Sequence, residues 1–310
     1  MANFRLTLIS SEAISPKLDT LRAELIARGY QLLAEQNLNP GFSAGRAASE
    51  LDAYTLTFSA GLQGCECKIL SQHLSTSFSL DAIIQDTTLA DSPKKLICFD
   101  MDSTLIQHEV MDELAYRHGI GEQIAAITES AMRGEISFRE SFDRRLACLE
   151  GFDAGLIPGI AEELRLSPGA KTLVKTLKTN ATEVAILSGG FENFAVHLQN
   201  ELGPIDAIHA NILEIDDGKL TGKISNQLVN ETRKLELIQE LSADRGLHTS
   251  QTIAVGDGAN DIPMLLHAGL GVAYRAKPVV QEKAPHCINH TDLSAILYVL
   301  GYTREQFVTS

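Results

Sequence analysis

The chain lacks any apolar run near the ~18 residues that a membrane-spanning helix needs. Its first residues, MANFRLTLISSEA, also lack the roughly 7–15-residue apolar centre of a secretory signal. A soluble, cytoplasmic protein with no membrane role is the expectation. Cysteine is scarce: Cys65, Cys67, Cys98, Cys148 and Cys287 form an odd set with no disulfide-like rhythm. Cys65-x-Cys67 is too tight for a standard zinc half-site, and no Cys/His pair follows at finger spacing. These side chains read as small buried hydrophobes or surface thiols in a reducing compartment. Positive charge is short as well. Lys and Arg number 26 against 40 Asp and Glu, a net charge of −14. That balance weighs against nucleic acid, whose phosphates need cations to displace their counterions, and against anionic membrane surfaces. A small anionic substrate stays open, because a few local cations can outvote a global sum.

The 310 residues make about two domains at roughly 150 each, and 44% hydrophobic content is enough for a sizeable core. Phe4, Leu6 and Leu8 alternate with polar residues, as do Tyr54, Leu56 and Phe58, which predicts two half-buried strands. Between them Leu18, Leu21, Leu25 and Ile26 recur at helical spacing, with Gly29 as a stop. Residues 1–90 therefore read as a small α+β accessory domain of strand–helix–strand order. The boundary falls in the polar stretch Asp86–Lys95.

Residues 91–310 follow an α/β pattern. Leu96–Phe99, Val184–Leu187 and Thr252–Val255 are short, unalternated apolar runs, as expected of parallel strands buried on both faces. Gly271–Tyr274 and Cys287–His290 are weaker candidates. Charged helical sequence over about 108–165 interrupts the alternation and reads as an inserted helical cap. Asp217-Gly218 predicts a type I′ hairpin. The fold class is a doubly wound, Rossmann-like parallel sheet with a helical cap, beside an N-terminal α+β domain.

Each of the three best strands ends in a polar cluster: Asp100-Met101-Asp102-Ser103-Thr104, Ser188-Gly189-Gly190 and Gly256-Asp257-Gly258-Ala259-Asn260-Asp261. Singly, each is a common turn. Together they matter, because ligands of such sheets bind beyond the carboxyl ends of the strands, where the three would converge. The first is not an EF-hand loop, since Leu105 and Met111 stand where Gly and Glu are needed. Several carboxylates at adjacent strand ends repel unless a divalent cation joins them, and oxygen-only donors suit Mg²⁺. Ser188, the backbone at Gly189 and Lys234, in a helix beginning near Glu231, would cradle an anion. This set fits phosphoryl transfer with a carboxylate nucleophile.

Asp100-x-Asp102-Ser-Thr, the Ser188 step, Lys234 and Gly256-Asp257-Gly-x-x-Asp261 resemble the four motifs of the haloacid dehalogenase superfamily. The stretches CFDMDSTLIQHEVMDELA, AMRGEISFRESFDRRLACL, ILSGGF and VGDGANDIPMLLHAGLGVAYRAKP are similar to its phosphoserine phosphatase branch, over about two-thirds of the chain. The N-terminal third resembles an ACT-like appendage in element order only. The resemblance implies a Mg²⁺-dependent hydrolase that converts O-phosphoserine to serine and phosphate, the last step of serine biosynthesis. It implies Asp100 as nucleophile and metal ligand, and Asp102 as acid–base with its carbonyl on the metal. Asp257 would be the third metal ligand and Asp261 a support of the metal's water shell. Ser188, Gly189, Lys234 and Asn260 would hold the phosphoryl group. Glu109 would take the substrate ammonium and Arg145 its carboxylate, with Met132 and Phe138 closing over them. By type alone, Glu109 and Arg145 could equally be a surface ion pair.

His108, His118 and Arg144 read as ordinary surface residues, and Arg275 and Lys277 as loop residues near the site. The pairing habit of ACT-like domains makes a homodimer an expectation by analogy. A phosphotransferase or sugar phosphatase would share the same core. A regulatory protein with an amino-acid-sensing N-terminus is the rival of another class, against which the intact acidic and Lys set argues.

Overall fold

The computed structural model describes residues 2–43 and 50–309, with the side chains of Met132 and Phe138 outside that description. The first part of the chain runs β1 (Ala2–Ser10), α1 (Leu18–Ala27), β2 (Gln31–Asn37), β3 (Asp52–Ala60), α2 (Gly64–Phe78) and β4 (Asp81–Asp86). The strands form an antiparallel sheet in the order β2-β3-β1-β4, with Phe4 opposite Phe58 and Leu6 opposite Leu56. Phe4, Leu6 and Leu8 share one face of β1 because side chains alternate along a strand. They pack there with Leu18, Leu21 and Leu25 of α1 and with Leu70 and Leu74 of α2.

The expected strand–helix–strand order is incomplete, since β2, α2 and β4 were not legible. β2 is a mostly exposed edge strand, so it has no apolar face to alternate. The turn Ser75–Phe78, polar in sequence, is the end of α2, whose buried stripe is only Cys67, Leu70 and Leu74.

The opposite face of this sheet is not free. Ile9, Ala53 and Ile83, with Leu38 and Leu51, join the core of the second part of the chain. The four larger of these contribute about 1.5–3 kcal/mol each by burial. Polar ties reinforce the seam. The Asp81 carboxylate accepts from the backbone N–H of Asn289 (2.7 Å), His290 (3.1 Å) and Thr291 (2.9 Å). Lys68 donates to the carbonyls of Glu282 and Ala284.

A short α3 (Thr87–Ala90) leads into β5 (Leu96–Phe99), and four helices follow: α4 (Val110–His118), α5 (Gly121–Met132), α6 (Phe138–Ala147) and α7 (Ile157–Glu163). Ser137 caps α6 by accepting from the Glu140 N–H at 3.1 Å. Then come α8 (Ala170–Thr179), β6 (Glu183–Phe191), α9 (Glu192–His197), α10 (Gln199–Leu202), β7 (Ala207–Asn211) and the hairpin β8 (Leu213–Asp216) and β9 (Lys219–Ile224). The chain closes with α11 (Glu231–Asp244), β10 (Thr252–Gly256), α12 (Ile262–His267), β11 (Leu270–Tyr274), α13 (Pro278–Lys283), β12 (His286–Ile288) and α14 (Ala295–Val299).

Six strands pair in parallel as β12-β11-β10-β5-β6-β7, which is the expected parallel α/β sheet. β5, β6 and β10 lie side by side at its centre. The residues after them therefore meet at one end of the sheet. β12 stops at Ile288 because the next two N–H groups turn to Asp81. Asp217 and Gly218 have φ of +45° and +76°, as a type I′ turn requires. The hairpin backbone pairs with the chain leaving α6: Gly151 donates to Leu220 (2.8 Å) and Leu220 to Phe152 (2.9 Å).

Candidate active site

Four side chains with opposed charges meet beyond β5 and β10. Asp100 directly follows β5, and its N–H donates to the Val255 carbonyl at 2.9 Å, which docks it beside β10. Asp257 follows β10, and Asp261 ends the turn before α12. One oxygen of each of these three buried carboxylates lies within 4.8 Å of the others. The fully buried Lys234, in the first turn of α11, reaches them. Its Nζ donates to Asp100 Oδ1 and to Asp261 Oδ1, both at 2.7 Å. The other Asp261 oxygen accepts from the Gly258 N–H at 2.9 Å. Asp261 is thus spent on holding Lys234 and its own loop, which suits a supporting place beside a cation.

Three carboxylates against one ammonium leave a surplus of negative charge in a dry place. Burial alone would depress the Lys234 ammonium, but Asp100 and Asp261 hold it above its ordinary range. The carboxylates bear the strain. Burial, then the charges of Asp261 and Asp257, raise the Asp100 carboxyl despite Lys234. Burial and Asp261 push Asp257 up to about 6. A divalent cation fits here: it supplies the missing positive charge, and all the donors are hard oxygens. Among the described residues this is the one cluster of three His, Cys, Asp or Glu side chains with such spacing.

Asp102 sits on the tight loop Met101–Leu105, where Ser103 adopts φ of +56°. Burial, then the negative charges of Glu109 and Asp100, raise its carboxyl well above the carboxylate range. Its Oδ1 accepts from the Val110 N–H at 3.3 Å. Gly190 makes room for it. A Cβ on Gly190 would lie 2.5 Å from Asp102 Oδ2 and 2.9 Å from the Met101 side chain, so any larger residue would push Asp102 from its place. The Gly-Gly pair reads as a mere turn in sequence, and this contact is what it missed.

The Ser188 cluster forms the third wall. Ser188 is fully buried, and its Oγ accepts from the Gly190 N–H at 2.8 Å. A Cβ at Gly189 would lie 3.7 Å from Asn260 Nδ2, which places Asn260 against this loop.

Glu109 stands just before α4 and accepts from Ser103 Oγ at 2.8 Å. Arg145, on α6, is half-buried, and its Nε donates to the Ser141 carbonyl at 3.4 Å. Burial lowers its guanidinium, while the charges of Asp112 and Glu109 oppose that. Glu109 therefore acts electrostatically on both Asp102 and Arg145. Asp112, which sequence reasoning passed over, lies in the first turn of α4 after Glu109. Met132 ends α5 and Phe138 begins α6; their side chains lie outside the description. Arg144 pairs with Glu140 at 2.6 Å on the exposed face, as a solvated residue should. His108 pairs with Glu113 at 2.8 Å, and His118 meets the Phe152 ring edge-on. Arg275 donates to the Thr291 carbonyl at 3.1 Å, while the Lys277 N–H donates to the Asp257 carbonyl at 3.2 Å.

The description "haloacid dehalogenase-like hydrolase" matches residues 94–269. The chain belongs to that family. It is 42% identical over 248 residues to a phosphoserine phosphatase of Streptomyces coelicolor, covering 79% of this chain and 60% of that protein. Against a probable phosphoserine phosphatase of Schizosaccharomyces pombe the identity is 39% over 269 residues, 86% of this chain and 90% of the other. A solved haloacid dehalogenase family hydrolase from Salmonella enterica superposes with a TM-score of 0.84 at 32% identity, covering 97% of this chain and 99% of that one. The chain spans three-fifths or less of the length of the Streptomyces relative and of a Mycobacterium tuberculosis phosphoserine phosphatase. The structural likeness to the Salmonella hydrolase reaches beyond residues 94–269 to nearly the whole chain. No helix among the described residues is long and apolar enough to cross a membrane.

Proposed function

We propose that this haloacid dehalogenase-like hydrolase is a Mg²⁺-dependent phosphomonoesterase acting on O-phosphoserine. The observation that carries the reading is the Asp100–Lys234–Asp261 arrangement with Asp257 beside it, together with the raised Asp102 carboxyl two residues after Asp100. Asp100 attacks phosphorus, and the bond from phosphorus to the serine oxygen breaks. Asp102 delivers its proton to that oxygen. It then takes a proton from the water that attacks the aspartyl-phosphate, releasing phosphate and restoring Asp100. Asp100, Asp257 and the Asp102 carbonyl would hold a Mg²⁺ ion, which would supply charge neutralisation at the phosphoryl oxygens. Lys234, Ser188, Gly189 and Asn260 bind those oxygens from the protein side.

The substrate head group belongs to the helices over residues 108–165, acting as a cap. Glu109 pairs the ammonium and Arg145 the carboxylate, with Met132 and Phe138 excluding water. Residues 1–90 form an accessory, ACT-like unit, and serine biosynthesis is where such an activity belongs. The test is phosphate release from a panel of phosphomonoesters, with and without Mg²⁺. Phosphoserine is expected to lead the panel and to depend on the metal. A preference for sugar phosphates, or transfer to an added alcohol in place of water, would replace this reading.

A further inference from the structure

We propose that Asn211 is a positioning residue that joins the two protein walls of the phosphoryl cradle. It ends β7 and is fully buried. Pairing of β6 with β7 lapses after Leu187 and resumes at Phe191 opposite Asn211, so residues 188–190 leave the ladder. The Asn211 amide spans the gap. Its Nδ2 donates to the Gly189 carbonyl at 2.7 Å, and its Oδ1 accepts from the Val229 N–H at 2.9 Å.

Both ends of this link matter for the anion. The Gly189–Gly190 peptide is held at its oxygen by Asn211 and at its N–H by Ser188 Oγ. Two side chains thereby set the plane of a peptide that glycine alone would leave free to turn. On the other side, Val229 leads into Asn230, which caps α11 by accepting from the Arg233 N–H at 3.0 Å. The Lys234 N–H in turn donates to the Asn230 carbonyl at 2.9 Å. One amide thus ties the Ser188–Gly189 loop to the start of the helix that carries Lys234. A misplacement of about 1 Å in such a site costs on the order of a hundredfold in rate.

The inference rests on the phosphomonoesterase reading, and the experiment separates the two. Asn211→Asp keeps the acceptor for Val229 but sets a carboxylate against the Gly189 carbonyl; Asn211→Ala removes both bonds. Asn226→Ala is the control. It removes a bond to Ala210 of the same strand (2.9 Å) and one from Ile212 just after it (2.8 Å), and none to the loop. The measurements are kcat/KM for phosphoserine and for p-nitrophenyl phosphate, inhibition by inorganic phosphate, and the melting temperature. For Asn211→Asp we expect both substrates to lose about tenfold to a hundredfold by equal factors, with phosphate inhibition weakened in parallel. Asn226→Ala should lower the melting temperature while keeping phosphate inhibition. Should Asn211→Ala fail to fold, the Asp variant alone decides. A melting-temperature change without loss of phosphate inhibition overturns the proposal, as does a loss confined to phosphoserine. An inactive wild-type protein would instead overturn the phosphomonoesterase reading.

Discussion

Asp100, Ser188, Lys234 and Asp261 are between 0 and 5% exposed, whereas Glu109 is exposed and Arg145 half-buried. The floor of the site is a set of strand ends and a helix start, where Lys234, Asp100, Asp261 and Ser188 are matched at 2.7–2.9 Å. The roof, on the proposed reading, is a run of helices in which Arg145 has only a 3.4 Å contact, while Glu109 is held by Ser103 at 2.8 Å. The difference separates two tasks. Phosphoryl chemistry needs charges fixed before substrate arrives, because rigid, dry dipoles cost no reorganisation during reaction. On the proposed function, head-group recognition needs groups that open to solvent and close again, which a residue as loosely held as Arg145 allows.

The largest way to break this comparison is at the floor. Asp100→Asn should cost about a thousandfold or more in turnover on any phosphomonoester, with the fold kept, because an amide does not attack phosphorus. Retained turnover in a well-folded variant would sink the floor assignment. At the roof, Arg145→Ala should reduce kcat/KM for phosphoserine about tenfold to a hundredfold, the worth of a charged hydrogen bond, and leave an aryl phosphate nearly unchanged. Equal losses on both substrates would erase the division of tasks.

The third test is pH. Asp257 in the metal-free protein is raised above its unfolded value to about 6, chiefly by burial and by Asp261. The folded state then binds more protons than the unfolded one between about pH 4 and 6. Stability from this group is therefore present below pH 4 and lost as pH rises through 6. Thermal melts of metal-free protein should show this loss, and Mg²⁺ at neutral pH should reverse it. Asp257→Asn should flatten the pH trend and remove the Mg²⁺ gain. A metal-free melt insensitive to Asp257→Asn over pH 4–7 would contradict the surplus-charge account of the floor. The smallest effect is reserved for Arg144→Ala, whose exposed pair with Glu140 predicts activity within about twofold of wild type. A larger loss in steady-state assays would mean the roof extends further along α6 than Arg145.

The floor was largely legible because its chemistry is carried by residue type at strand ends. Leu96–Phe99 and Thr252–Val255 are apolar enough to be strands, and Asp100 and Asp257 follow them directly. The crowding at Gly190 was not legible, since the Asp102 side chain that fills its space comes from the loop after another strand. Asn211 was hidden for a similar reason: β7 was not predicted, its burial pattern being intermediate over three of five residues. In the N-terminal part, β2 and α2 escaped because an edge strand and a Ser- and Thr-rich helix bury too few residues to show a period.

By itself the sequence determined the central parallel strands, the acids and Lys at their ends, and the kind of reaction such groups can carry, because local patterning encodes those. Only the tertiary structure decided that Lys234 pairs with Asp100 and Asp261, that Asn211 bridges two loops, and that Ile9, Ala53 and Ile83 belong to a core shared between the two parts. Each of these joins residues far apart in the chain. Their energies depend on burial and on distances that no local window of sequence contains.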